Sequence, residues 1–295
     1  MRAIAVLDAP SNLGLRPPEP GAVPGAYKLG WALREQGLVS RLKARDDGVV
    51  IPPRYRAEWD GRTLRNREAL VRFSRKLADR VGASLDRGRF LVLLGGDCSI
   101  LLGPTLALRR RGRYGLVFLD GHSDFRHPGN AEAVGAAAGE DLALVTGRGS
   151  ADVTDIESLR HFVQDQDVYA IGFRHEDEHA SEVREHGIQV ADALTVREKG
   201  PGAVSEQVLR MMRRRSVDGF WIHLDVDVLD SSIMPAVDSP EPNGLSLNEL
   251  SELLGGLTSS PAARGIDVSV FDPDLDEDGT YARRLGDALI AGFTR

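Results

Sequence analysis

With 295 residues, 42% of them hydrophobic, the chain is long enough to bury a sizeable core as one large α/β domain over residues 1–295. A formal net charge of −7 argues against nucleic acid as the main partner, since phosphate binding needs a basic face. A single cysteine excludes an intrachain disulfide framework and fits a reducing compartment, and no run approaches the roughly 20 apolar residues of a membrane span.

Ala3–Leu7 reads as a short apolar strand. Only five apolar residues separate Arg2 from Asp8, too few for a secretory signal, so the chain is expected to be cytoplasmic. From Asp8 to Gly25 the sequence is crowded with Pro and Gly and predicts an irregular loop, a kind that is usually functional in compact domains. A helix is predicted from Ala26 to Gln36, stopped by Gly37, and a short strand at Val49–Ile51. Residues 64–87 carry helical apolar spacing through Leu70, Val71, Phe73, Leu77 and Val81, and lead into a strand at Phe90–Leu94.

Gly115–Leu119 is a further strand, followed by a Gly- and Ala-rich stretch of weak periodicity from Gly129 to Glu140. Asp167–Ile171 is a strand that ends in Gly172-Phe-Arg-His-Glu-Asp177. A helix over 204–214 precedes a strand beginning at Trp221, and a helix over 246–257 opens with Ser246 and Glu249 in capping-box register. Gly265–Phe271 is the last strand and Tyr281–Phe293 the closing helix. The Arg-rich runs at 109–113 and 213–215 fall near helix ends, where cations are favourable. Strands alternating with helices predict a three-layer αβα arrangement around a mainly parallel sheet.

Three apolar strands finish in side chains suited to a cation. Gly115–Leu119 runs into Asp120-Gly-His122-Ser-Asp124, whose i, i+2, i+4 spacing puts all three on one side of an extended chain. Trp221-Ile-His-Leu-Asp225-Val-Asp227 ends in two Asp at i and i+2, and Phe90–Leu94 ends in Gly95-Gly96-Asp97-Cys98-Ser99. Singly, each could be a polar strand cap. In a parallel sheet all three endings share one edge, where open α/β sheets build their sites, and converging carboxylates there are costly to desolvate without a cation between them.

These motifs, in this order and spacing, resemble the ureohydrolases, the arginase and agmatinase superfamily. The likeness extends to Leu33-Arg-Glu-Gln-Gly-Leu38 and to Gly265-Ile-Asp-Val-Ser-Val-Phe-Asp-Pro273, and so covers most of the chain. The resemblance implies an arginase-like fold and a centre of two Mn²⁺ ions. Asp120 and Asp225 would bridge them, His122 and Asp227 would complete one site, and Asp124 with Cys98 the other. It also implies catalysis through Asp120, Asp225 and His122, with a hydroxide shared by the metals attacking the carbon of a small guanidino substrate. Trimers or hexamers are implied as well.

Three positions depart from the family pattern. Cys98 stands where the family has His. A thiolate is softer than Mn²⁺ prefers and favours Zn²⁺ or Fe²⁺, unless Cys98 is merely near the metals. The likeness includes a Cys-bearing branch acting on Nω-hydroxyarginine. Ala138 stands where the family has a proton-shuttle His, leaving His127 or His175 as substitutes. Val270 stands where the family has a guanidinium-anchoring Glu, leaving Glu140 or Asp141 as candidate carboxylates. Asp177 matches an Asp that faces the substrate amine, and His175 replaces a second one.

The expected function is a metal-dependent amidinohydrolase of a linear guanidino compound, an arginine derivative such as Nω-hydroxyarginine. The alternative is a catalytically inactive metal-binding relative with a ligand-binding or regulatory role. Metal-dependent deacetylases also resemble the fold and the Asp-His-Asp set, but they carry an adjacent His pair that this chain lacks.

Overall fold

A single sheet organises the chain. Its strands are β1 (Ile4–Asp8), β2 (Arg45–Val49), β3 (Phe90–Leu94), β4 (Gly115–Leu119), β5 (Val168–Ile171), β6 (Gln189–Ala191), β7 (Phe220–Asp225) and β8 (Ala263–Ser269). They pair in the order β2-β1-β3-β8-β7-β4-β5-β6, every pairing parallel. The computed structural model describes residues 3–131 and 134–294; Glu132 and Ala133 of the Gly- and Ala-rich stretch lie outside the described residues.

The central strands are apolar on both sides because both faces are covered, as parallel sheets require. Alternate residues divide between two cores. Val92, Leu94, Val117, Leu119, Ile222 and Leu224 pack with Leu33, Val208, Leu253 and Leu285 from the helices Leu29–Glu35, Pro201–Arg215, Leu247–Thr258 and Thr280–Phe293. Leu91, Leu93, Leu116, Phe118 and Trp221 pack on the other side with Phe73, Leu77, Leu106 and Leu142 from Arg67–Leu85, Leu102–Arg109 and Asp141–Val145. This is the expected three-layer arrangement.

Most of the predicted elements fall within three residues of their expected ends, whereas β6 and the helices Leu102–Arg109, Ala180–Glu185 and Ala193–Lys199 carry no expectation from the sequence; the shifts have physical causes. The helix expected over 26–36 begins as a 3-10 turn at Gly25–Lys28, becomes α-helical at Leu29–Glu35 and stops at Gly37, whose φ of 75° favours glycine. The strand expected at Val49–Ile51 lies earlier, at Arg45–Val49. It is a largely exposed edge strand of polar residues, so its own sequence carries no apolar pattern. The last strand ends at Ser269 rather than Phe271, because Val270 turns out of the sheet at φ 72°. Ser246 and Glu249 form the capping box in full.

Register places the site. Leu119 pairs with Leu224, Leu224 with Val268 and Val268 with Leu94, so these four residues are level across the sheet. The next residues, Asp120, Asp225, Ser269 and Gly95, therefore emerge side by side at the carboxyl edge. A one-residue slip would turn the carboxylates to the opposite face. A Cβ on Gly96 would lie 1.8 Å from the carbonyl oxygen of Ser11, so only glycine lets the loop after β3 pass the loop after β1. Asp97 N–H donates to that oxygen at 3.0 Å.

Candidate metal centre

The three strand endings are tied to one another through their acidic side chains. Asp120 Oδ1 accepts the His122 N–H at 2.7 Å, and Asp225 Oδ1 accepts the Asp227 N–H at 2.7 Å. Asp227 crosses to the loop after β4, where Oδ1 accepts the Gly121 N–H at 3.0 Å and Oδ2 lies 2.9 Å from His122 Nδ1. Cys98 begins a 3-10 turn capped by Asp97, whose side chain accepts the Ser99 N–H. The Cys98 Sγ lies 2.7 Å from Asp225 Oδ2 and 3.0 Å from Ser269 Oγ. Asp124 adopts φ 43°, a left-handed conformation that Asp tolerates better than most residues.

Three trios of donor atoms each lie within 4.8 Å of one another: Asp120 with His122 and Asp124, Asp120 with Asp225 and Asp227, and Asp120 with Cys98 and His223. Asp120 is common to all three. These residues could hold cations, and the surroundings fit them. Asp120 Oδ2, both oxygens of Asp141 and His223 Nε2 are buried without a hydrogen-bond partner among the described residues. Burial, and then repulsion between neighbouring carboxylates, push Asp120, Asp225 and Asp141 far above the usual carboxyl range. Burial and the Asp225 charge do the same to the Cys98 thiol. Burial opposes a charge on His122, but its hydrogen bond to Asp227 and the surrounding carboxylates outweigh that and lift it to about 10. Without cations the cluster sheds negative charge by protonation; divalent cations would remove the reason to do so.

An open cleft of roughly 780 Å³ reaches this cluster, and its lining includes His122, Asp124, Asp225 and Asp227. Asp177 also lines it, with Oδ2 accepting the Ser123 N–H and Oδ1 the His179 N–H, each at 2.9 Å. Ala138 and Val270 line the cleft too, one without a polar group and the other apolar.

The other candidates drawn from the sequence lie elsewhere. His175 is 69% exposed, is not part of the cleft lining, and pairs its Nδ1 with Asp192 at 2.8 Å. His127 is held by Glu182 at 2.9 Å, also outside the lining. Glu140 is turned into its own loop, accepting the Gly135 and Ala136 N–H groups at 2.6 and 3.1 Å, and burial lifts it to about 7. Asp141 is fully buried behind the cleft, its Oδ2 3.5 Å from His223 Nε2.

Three residues escape the sequence reading. His223 sits two places before Asp225 on β7, and so on the same side of the strand; alternation alone could have flagged it. Arg174, just after β5, sends Nη2 to the carbonyls of Asp227, Leu229 and Glu241 and Nε to that of Pro242. It clamps the segment after β7 to the end of β5, and no local pattern announces partners so distant in the chain. His179 lines the cleft, with an Nε2 that makes no hydrogen bond among the described residues and lies 3.4 Å from Glu178 Oε1.

Comparison with known proteins matches residues 4–293 to the model of the Arginase family. The chain is 28% identical to an arginase of Staphylococcus aureus strain COL, over 96% of this chain and 94% of that protein. It is 29% identical to the arginase of Bacillus caldovelox, over 94% and 93% of the two chains. The solved structure of arginase from Bacillus caldovelox superposes with a TM-score of 0.89 at 27% identity, covering 100% of this chain and 99% of that one.

Proposed function

This chain belongs to the arginase family, and we propose that it is a metal-dependent amidinohydrolase acting on a linear guanidino compound. The observation that carries this is the convergence of Cys98, Asp120, His122, Asp124, Asp225 and Asp227 at the carboxyl edge of the sheet, beside buried oxygens without a hydrogen-bond partner among the described residues. Asp120 and Asp225 would be shared by two cations, His122 and Asp227 completing one position and Asp124 and Cys98 the other. Manganese suits the hard oxygen donors, while zinc or iron suits the position that includes sulfur. When bound, such a pair supplies the Lewis acidity that makes hydroxide available near neutral pH.

The remaining lining residues suggest the substrate. Asp177, Asp238 and Glu241 are among the carboxylates that make the cleft acidic, and Arg16, Arg126 and Arg174 are its arginines, Arg126 pairing with Glu178 and Arg174 held on main-chain carbonyls. An amino-acid-like guanidino compound complements that distribution, its cationic groups against carboxylates and its carboxylate against the arginines. Val270 places no carboxylate at the position where the resemblance puts a guanidinium anchor, and an unpaired cation in a partly dry site costs several kcal/mol. A hydroxyguanidine is much less basic, so it gives up its charge at smaller cost and depends less on that carboxylate. Nω-hydroxyarginine fits on these grounds. With Ala138 unable to carry a proton, His179 is a cleft imidazole that could take its place, its Nε2 lying beside the Glu178 carboxylate.

The test is urea and hydroxyurea release from arginine, agmatine and Nω-hydroxyarginine by Mn²⁺-loaded protein. The expected result is a kcat/KM for Nω-hydroxyarginine at least about tenfold above that for arginine, equivalent to about 1.4 kcal/mol. Arginine cleaved equally well or better refutes the substrate. No hydrolysis by protein holding two ions per chain would favour a second reading, a metal-binding relative without catalysis, to which Ala138 and Val270 also point.

A further inference from the structure

We infer that His223 is itself a metal ligand, joining Cys98 and Asp120, with Asp141 as a fourth, in a buried position of mixed sulfur, nitrogen and oxygen donors. This rests on the reading of the cluster as a cation centre. His223 is completely buried, and its ring is fixed from two directions. It stacks on Phe118, with ring centroids 4.9 Å apart, and its Nδ1 lies 2.5 Å from Asp267 Oδ2. Asp267 also accepts the Trp221 indole N–H at 2.5 Å through Oδ1. A carboxylate taking donors at both oxygens keeps the His223 proton on Nδ1 and leaves Nε2 as the free end. An imidazole anchored in this way by a carboxylate is the usual support of a metal-bound histidine.

The free end has nothing to do without a cation. His223 Nε2 makes no hydrogen bond among the described residues, and Asp141 Oδ2 and Asp120 Oδ2 lie 3.5 and 3.9 Å from it. Those carboxylate oxygens are themselves buried and unpartnered, as is the second oxygen of Asp141. A lone pair facing two carboxylates in a dry interior is repulsive, and a cation between them turns the repulsion into attraction, with His223 and Asp141 adding to the donors already proposed around Cys98 and Asp120. Donors bound at about 2.0–2.3 Å around a tetrahedral ion sit about 3.3–3.8 Å apart, close to these separations. One thiolate, one imidazole and two carboxylates select Zn²⁺, Fe²⁺ or Co²⁺ over Mn²⁺. This gives Asp141 a place at the cations rather than at the substrate.

Co²⁺ titration of metal-stripped protein, followed by X-ray absorption, tests the assignment. The wild type should bind two Co²⁺ per chain with a thiolate-to-cobalt absorption band and two imidazoles per chain, His122 and His223. In His223→Phe one ion should bind at least about tenfold more weakly, with the band lost or shifted while the other ion is retained. Asp141→Asn should weaken the same ion. Two ions in wild type with one imidazole per chain would overturn the inference without any variant having to fold. So would His223→Phe binding both ions with unchanged affinity and an unchanged band. A wild type that binds no Co²⁺ would instead remove the cation centre, and this inference with it.

Discussion

Arg174→Met tests how far the centre depends on a main-chain scaffold. Arg174 is 9% exposed, and its guanidinium reaches Asp227 O at 3.1 Å, Leu229 O at 3.2 Å, Glu241 O at 2.7 Å and Pro242 O at 3.2 Å. Nη2 has two hydrogens for three of these carbonyls, so with Nε the set amounts to about three full bonds. A charged donor is worth about 1.5 kcal/mol or more per bond, which gives about 4–5 kcal/mol for the clamp. Methionine retains most of the apolar stem, so little of the loss comes from packing. At about 2–3 °C per kcal/mol for a chain of this size, metal-free protein should melt about 10 °C lower. Because one carbonyl belongs to Asp227, a loosened loop should also weaken metal binding about 10–100-fold. Arg174→Lys keeps the charge but not the fork, and should recover less than half of the loss. Calorimetry of metal-free protein and a metal titration read the two effects. A melting point within about 3 °C of wild type, with unchanged metal affinity, would refute the clamp.

Metal-free protein should lose stability as pH rises. Burial, with Asp227 and Asp177 adding and His122 opposing, pushes Asp124 up to about 8. An unfolded Asp ionises near 4, so between about 4 and 8 the native state holds a proton the unfolded chain lacks, and stability falls with pH. His122, lifted from 6.5 to about 10, extends the fall in the same direction. Saturating metal should abolish it; a metal-free melting point that is flat or rises from pH 5 to 8 contradicts the electrostatics. Cys98→Ser should weaken Zn²⁺ binding at least about tenfold and Mn²⁺ binding less, and unchanged Zn²⁺ affinity would remove Cys98 from the ligand set. Val270→Gly relieves about 1–2 kcal/mol of left-handed strain but loses about 1.5–2 kcal/mol of buried side chain and about 0.5–1 kcal/mol to backbone freedom. Its net destabilisation should be about 1 kcal/mol in a denaturant titration, and a gain in stability would show that strain dominates.

What could be read from the sequence follows from what the environment imposes. Fully buried parallel strands are continuous apolar runs, so Phe90–Leu94 and Gly115–Leu119 are found with their observed ends, and the polar residues that follow mark the sheet edge. The edge strands β2 and β6 are legible only through their partners, because their exposed side chains are free to be polar. Neighbouring residues part company wherever a turn alternates: Arg174 is driven inward to main-chain oxygens 53 to 68 positions away, while His175 beside it points to Asp192. Glu140 and Asp141 could not be told apart by type. Helix geometry at their junction sends one to its own loop and the other to His223. Ala138 and Val270 do line the cleft, so the departures noticed in the sequence are properties of its surface.

The most direct measurement is the number of divalent cations bound per chain, from Mn²⁺ titration of metal-stripped wild type beside Asp120→Asn, with proton uptake or release followed together. Two ions per chain are predicted, bound with release of protons, and no more than one in the variant, because Asp120 belongs to every donor trio. Fewer than two ions in wild type, or two bound as tightly in Asp120→Asn, would contradict a shared cation centre at this edge of the sheet.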